Sequence, residues 1–282
     1  HVPRDRPLPL SFAQQRLWFL DQLEPGNPVY NTPGALRLKG RLDTAGLQQS
    51  LTEIVRRHET LRTTFNASEG TPVQIISAPR PVTIPLIDLS ALNEIDRERE
   101  AKLLISADAQ RPFDLSHGPL LRATLLRLGE EEHVLLFTMH HIISDGWSME
   151  ILIRELLELY NARVNGREAH LSPLRIQYKD YVAWQQHQLS GQLLQDHKSY
   201  WLQQFEGELP VLELATDHPR PATRTYNGGV INKVISTQVS ESIKRLSQQQ
   251  GGTLFMGLLS AVNVLLYRYT GQQEIIIGTP MA

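Results

Sequence analysis

Residues 139–148 read Met-His-His-Ile-Ile-Ser-Asp-Gly-Trp-Ser. Two adjacent histidines, His140 and His141, are followed after a three-residue gap by Asp145 and Gly146. Histidine is the side chain that most readily exchanges a proton near neutral pH, and a nearby carboxylate is placed to orient it. The chain has no Cys, no G-x-S-x-G elbow and no glycine-rich nucleotide loop, so neither a covalent acyl-enzyme nor a nucleotide site is signalled. A lone histidine beside backbone N–H donors suits direct acyl transfer. The ring assists the incoming nucleophile while the donors hold the tetrahedral oxyanion. The alternative is two packed histidines at the end of a strand.

The elements around this run decide what it can do. Residues 120–128 and 133–140 are apolar runs on either side of a turn at 129–132, the spacing of a hairpin. Successive side chains of a strand point to opposite faces, so one histidine faces a cleft while the other is packed. That geometry disfavours a two-histidine metal site. A mixed site of His141 and Asp145 lacks an evident third ligand, and no metal is expected. After Gly146 comes a helix with Ser148 as its expected N-cap. Met149, Leu152, Ile153, Leu156, Leu157 and Tyr160 share one face of it. Its N-terminus offers N–H groups to developing negative charge.

Elsewhere, Ser11 and Gln14 form a capping box for a strongly apolar first helix. Residues 34–42 alternate as a strand, and Asp43 caps a second helix. Residues 60–65 look extended, Gly70 turns the chain into 73–77, and 93–110 is a charged helix. A long helical stretch, 178–205, breaks at Ser190 and Gly191. Beyond a proline-rich connector, strand 230–236, helices 241–250 and 253–269, and strand 274–278 suggest an unfinished parallel α/β lobe.

The bulk numbers bound the class. A length of 282 residues suits two lobes, and 41% hydrophobic with 21% charged residues describes a soluble globular chain. A formal net charge of -2 provides no basic field for nucleic acid or an anionic membrane. The most apolar segment, 254–266, falls short of the roughly 18 residues a membrane span needs. The absence of Cys fits a cytoplasmic protein. Both ends look cut from something longer.

The motif H-H-x-x-x-D-G of residues 140–146 resembles the signature of the condensation domains of nonribosomal peptide synthetases, within the chloramphenicol acetyltransferase-like superfamily. Four further stretches resemble that family's motifs in order: SFAQQRLWFL at 11–20, RHETLRTTF at 57–65, YKDYVAWQ at 178–185 and IGTPMA at 277–282. The resemblance spans the chain. It implies an α/β (α+β, two-layer) fold: a complete acetyltransferase-like lobe at 1–175, connecting helices and linker at 176–229, and the start of a second lobe at 230–282. The remainder of that lobe, with the loop and latch that close a tunnel between lobes, would lie beyond this sequence. Without it the chain is expected to be unstable or inactive.

The resemblance also implies the activity. An acceptor aminoacyl α-amine attacks a donor acyl or peptidyl thioester to form an amide. Each substrate hangs on the 4'-phosphopantetheine of a peptidyl carrier domain, upstream for the donor and downstream for the acceptor. An adenylation domain would adjoin, and the domain would need no cofactor of its own. On this reading His141 faces the tunnel and either takes the amine's proton or holds the amine in place, and His140 is its buried support. Asp145 pairs with Arg62 in a structural ion pair, Gly146 keeps the tunnel and N–H donors clear, and Ser144 and Trp147 support the loop. Heterocyclising relatives have Asp in place of both histidines, so His140 and His141 argue against that branch. The wording SFAQQRLWFLDQLEPGNPVYN at 11–31 and HHIISDGWS at 140–148 most resembles the branch that joins two L-residues rather than an epimerising one. A CoA-dependent acyltransferase of the same superfamily, and a non-catalytic recruitment module, are the competing readings.

Overall fold

The computed structural model describes residues 2–3, 7–219, 221–222, 225–226 and 228–279. It comprises two compact units, the first reaching Leu194 and the second beginning at Gln195.

In the first unit, strand β1 (Leu8–Pro9) leads into helix α1 (Phe12–Leu23) through the N-cap Ser11. The Ser11 hydroxyl accepts the Gln14 N–H and the Gln14 side chain accepts the Ser11 N–H, the expected reciprocal capping box. Strand β2 (Asn31–Lys39) begins earlier than the pattern suggests. Helix α2 (Thr44–Arg57) carries the expected Asp43 cap. Glu59–Arg62 winds into a 3-10 turn rather than extending, and only then come β3 (Thr63–Ser68) and β4 (Thr71–Ile76). After a short β5 (Leu86–Asp88), the charged helix α3 (Glu94–Gln110) starts at its N-cap Asn93. Strands β6 (Leu121–Gly129) and β7 (Glu132–His140) form the expected hairpin. Helices α4 (Gly146–Val164) and α5 (Tyr178–Gln188) follow.

The main sheet has the order β2-β7-β6-β5, and β1-β4-β3 form a second sheet. Strand β7 is antiparallel to both neighbours, and β5 runs parallel to β6. Because β7 is central and covered on both faces, its sequence is a continuous apolar run. Leu135, Phe137 and Met139 join the cluster containing Leu51 and Ile54 of α2 and Leu152 and Leu156 of α4. Val134 and Leu136 join the smaller cluster containing Ala101 of α3. This places the end of β7, and with it the histidine pair, on the best-buried strand of the lobe.

Helix α5 belongs to this unit rather than to a connector starting at 176: its Tyr178 hydroxyl lies 3.1 Å from Ser11 Oγ and Val182 is fully buried. The first compact unit therefore extends beyond the expected boundary at 175, because the polar and apolar faces of α5 both find partners there.

Helix α6 (Gly191–Gln204) follows the predicted break and runs into the second unit, where α7 (Thr237–Gln249) and α8 (Leu254–Thr270) are capped by Ser236 and Thr253. The expected strands 230–236 and 274–278 do not form. A strand needs a neighbour for its backbone ladder, and none is present for them among the described residues. Val230, Ile231 and Val234 are accordingly exposed, and α8 has no buried residue. The expected parallel α/β arrangement is thus absent from the described part of this unit. Pro280, Met281 and Ala282 of the last motif lie outside the described residues. Among the described residues no single helix is long and apolar enough to cross a membrane.

Candidate active site

Strand β7 ends at His140, and the strand alternation separates the two histidines as expected. The His140 ring is buried between Tyr30 and Phe113, with centroids 6.3 and 6.2 Å away. Its Nδ1 accepts the Ile142 N–H at 3.1 Å. Burial, reinforced by the charge of His141, pushes its pKa down to about 4. His140 is therefore a neutral residue that shapes the chain reversal.

His141 is exposed and its N–H donates to the Tyr30 carbonyl at 2.8 Å. Its Nδ1 lies 2.6 Å from the Ser144 carbonyl oxygen. A carbonyl only accepts, so Nδ1 carries the hydrogen and Nε2 of the neutral ring holds the lone pair. Such a ring can take a proton at Nε2 with no rearrangement of its other contact.

The loop that follows is held from several sides. The buried Ser144 donates its hydroxyl to the His140 carbonyl at 3.4 Å, and the Ile143 N–H reaches the same oxygen at 3.1 Å. Gln14 Nε2 donates to the Ile142 carbonyl and Thr60 Oγ1 to the Ile143 carbonyl, each at 3.3 Å. Sequence reasoning assigns Gln14 only a capping role and Thr60 none. Their signal is membership of the 11–20 and 57–65 motifs, which spacing cannot connect to this loop.

Asp145 does not pair with Arg62, which corrects the expectation. Asp145 is the N-cap of α4, replacing the expected Ser148, and its Oδ1 accepts the Ser148 N–H at 2.8 Å and the Ser148 hydroxyl. Burial raises the cost of ionising Asp145, but the Ser148 hydroxyl and N–H outweigh it and hold the carboxyl below its ordinary pKa. A carboxylate at the positive end of a helix is already satisfied and needs no guanidinium.

This cap also limits the oxyanion expectation. The Asp145 carboxylate takes one N-terminal donor, leaving the N–H groups of Gly146 and Trp147 without an acceptor among the described residues. A Cβ on Gly146 would meet nothing within 4 Å, so the expected crowding is not seen there. Trp147 is 70% exposed, so its ring does not brace the loop by burial.

Arg62 turns to other partners. Its guanidinium lies 3.6 Å from Glu59 and donates to the Ser77 carbonyl. Glu59 is also 3.7 Å from Lys179 of α5. Beside them, Glu155 of α4 accepts from Arg57 at 3.0 Å and contacts His58 at 2.7 Å. The 57–65 motif is thus a buried charge lattice linking α2, α4 and α5, which explains its charged residues without any role in chemistry. Tyr178, Tyr181 and Trp184 stack successively at 5.4 and 5.7 Å, but they remain partly exposed rather than forming a packed core stripe. Burial raises the Tyr178 pKa against its bond to Ser11, and the Tyr181 and Asp145 charges add to the rise. Among the described residues no group of three metal-ligating side chains converges.

This arrangement, an exposed histidine on a turn between a central strand and a capped helix, coincides with what relatedness shows. A family model described as "Condensation domain" matches residues 5–282. A linear gramicidin synthase of Brevibacillus parabrevis is 47% identical over 281 residues, which cover 100% of this chain and 5% of that protein. The X-domain from teicoplanin biosynthesis superposes with a TM-score of 0.82 at 30% identity, covering 95% of this chain and 59% of that one. The first condensation domain of the CDA synthetase gives 0.75 at 26% identity, covering 96% and 64%. The chain belongs to the condensation-domain family and has its chloramphenicol acetyltransferase-like fold. It spans about a twentieth of the length of the gramicidin synthase and less than two thirds of these solved chains.

Proposed function

We propose that this chain carries the histidine lobe of a peptide-bond-forming condensation domain in a nonribosomal peptide synthetase. The donor is an acyl or peptidyl thioester and the acceptor an aminoacyl thioester, each on the 4'-phosphopantetheine of a peptidyl carrier domain. The acceptor α-amine attacks the donor carbonyl, the C–N bond forms, and the C–S bond breaks to release the donor carrier's thiol. The amine proton passes to His141 Nε2 and onward to the departing thiolate. The observation that carries this reading is the fixed ring of His141, with Nδ1 donating to Ser144 and Nε2 left to accept. His140 shapes the turn, and Asp145 caps the helix whose Gly146 and Trp147 N–H groups face the oxyanion. The histidine pair argues against the heterocyclising branch, and the wording of residues 11–31 and 140–148 favours the branch joining two L-residues. Neighbouring carrier and adenylation domains and a cytoplasmic location belong to the same reading.

A recruitment role is the second reading, favoured by the similarity to the teicoplanin X-domain, which was also solved in complex with OxyB. One experiment separates them, with the chain set in a domain of the solved relatives' length. It is mixed with donor- and acceptor-loaded carrier domains, and in parallel with acyl-CoA in place of the donor, with and without His141→Ala. Amide formed only from carriers, and lost in the variant, supports condensation. Product from acyl-CoA points to a free-standing acyltransferase. Partner binding with no product points to recruitment.

A further inference from the structure

The turn between β7 and α4 has no repeating hydrogen-bond pattern of its own. Its shape is set by whatever holds its carbonyls. The His140 carbonyl is taken inside the loop by Ile143 and Ser144, and the Ser144 carbonyl by the His141 ring. Of the three between them, two are held from outside: Ile142 by Gln14 of α1 and Ile143 by Thr60 of the 3-10 turn.

Gln14 is well suited to this. It is 2% exposed, and its Oε1 accepts the Ser11 N–H at 3.0 Å. That bond fixes which end of the amide is which, because only the oxygen can accept. The Nε2 hydrogens therefore point at Ile142, and a flipped amide would set two oxygens against each other. Thr60 adds a second anchor one residue further along, from a separate element. With both carbonyls pinned, the loop closes so that the Ser144 carbonyl meets His141 Nδ1 three residues back.

We propose that Gln14 and Thr60 are positioning residues for His141: by holding the Ile142 and Ile143 carbonyls they fix the turn that brings the Ser144 carbonyl onto Nδ1, and thereby decide that Nε2 is the proton acceptor. Neither side chain touches the reacting atoms. The inference rests on the reading of His141 as the working group, yet its primary test needs no turnover.

That test is the tautomer of the His141 ring, read by 15N-edited NMR on the chain labelled at histidine, with the signal assigned by its loss in His141→Gln. The unmodified chain shows the Nδ1–H form. Thr60→Val is nearly isosteric and removes only the hydroxyl. Gln14→Glu keeps the oxygen that caps Ser11 and replaces the donor with an oxygen that repels the Ile142 carbonyl. Both variants shift the ring toward the Nε2–H form that the free histidine side chain prefers, and Thr60→Ser restores the original state. If Gln14→Glu does not fold, the Thr60 pair decides the question. In the condensation assay, Thr60→Val lowers kcat about tenfold or more, with KM little changed, as expected for a misplaced catalytic group. Folded variants that keep the Nδ1–H form overturn the proposal. A tautomer shift in a protein whose turnover survives His141→Ala upholds the positioning and removes instead the role given to His141.

Discussion

His141 and Ser144 close a small ring of structure: the imidazole Nδ1 meets the Ser144 carbonyl oxygen at 2.6 Å. The partner is a neutral main-chain group, not the carboxylate four residues along the motif. A carboxylate on Nδ1 would stabilise the imidazolium through charge, whereas a carbonyl orients the ring and sets its tautomer. Asp145, the obvious candidate for the charged partner, is committed to Ser148 and the start of α4. The arrangement favours a ring that receives a proton briefly and releases it.

The first expectation concerns that ring. His141→Ala should lower kcat by about 10²–10⁴, the range for loss of a general base, while leaving the urea midpoint of unfolding nearly unchanged, since the ring is exposed. His140→Ala should instead destabilise the fold, because its buried ring holds the Ile142 N–H. Parallel turnover and urea titrations of the two variants check this. A His141→Ala protein that retains most of its turnover would remove the catalytic role given to this residue.

Asp145 and Arg62 should prove energetically independent. Asp145→Ala removes a helix cap and should cost about 1 kcal/mol, with Asp145→Asn or Asp145→Ser recovering most of it. Arg62→Ala leaves the buried Glu59 with a weakened counter-charge and should cost about 3 kcal/mol or more. Both losses should appear in stability rather than in the chemistry of folded protein. In a double-mutant cycle the coupling should stay below about 0.5 kcal/mol. A coupling above about 1 kcal/mol would restore the ion pair that the resemblance implies, and a soluble, cooperatively unfolding but inactive variant would show that the residue acts in the chemistry rather than in stability.

His140 supplies a pH dependence of definite sign. Burial first, then the His141 charge, puts its folded pKa at about 4, below its ordinary value of 6.5. The unfolded chain therefore binds this proton more readily than the folded one. The stability from a neutral His140 is complete above the unfolded pKa, declines as pH falls through the window from 6.5 to about 4, and levels off below it. The loss amounts to roughly 3 kcal/mol. His133, also buried, shifts in the same direction through its own burial and the Arg127 charge. His140→Asn keeps an acceptor for the Ile142 N–H and should flatten only the His140 share of the slope. Urea unfolding from pH 7.5 to 4 on both proteins tests this, and equal slopes would show that His140 does not titrate as described.

The histidine motif, the α1 capping box, the β6–β7 hairpin and the α5–α6 break are legible in the sequence because each is written in contiguous residues. Period and cap chemistry are local. Pairing at a distance is what stays hidden. The resemblance pairs Asp145 of the histidine motif with a cation, yet its own helix satisfies it. Gln14 and Thr60 reach the loop across 128 and 83 residues of sequence, and no spacing rule joins them. The strands expected at 230–236 and 274–278 fail for a related reason: their composition is strand-like, but no neighbour among the described residues completes a ladder. Gly34 is a further case, reading as an ordinary strand glycine until its cross-strand neighbour is known.

Gly34 of β2 stands opposite Phe137 of β7, and a Cβ added there would lie 2.1 Å from the Phe137 ring. The Phe137 ring thus lies across the backbone of its neighbour, and only the absence of a side chain makes room. Phe137 is 6% exposed and sits in the cluster that packs α2 and α4 onto the sheet, so it has little freedom to move aside. Gly34→Ala should therefore destabilise the lobe by about 1–3 kcal/mol through overpacking, although alanine ordinarily improves on glycine in a strand. The two residues should also be coupled. Phe137→Leu alone should cost stability by leaving a cavity, but in its presence the added methyl finds space. The double variant should then be more stable than the two single losses imply by about 1 kcal/mol or more. Urea unfolding of the four proteins measures this coupling, and strict additivity would place the strain elsewhere than between these two residues.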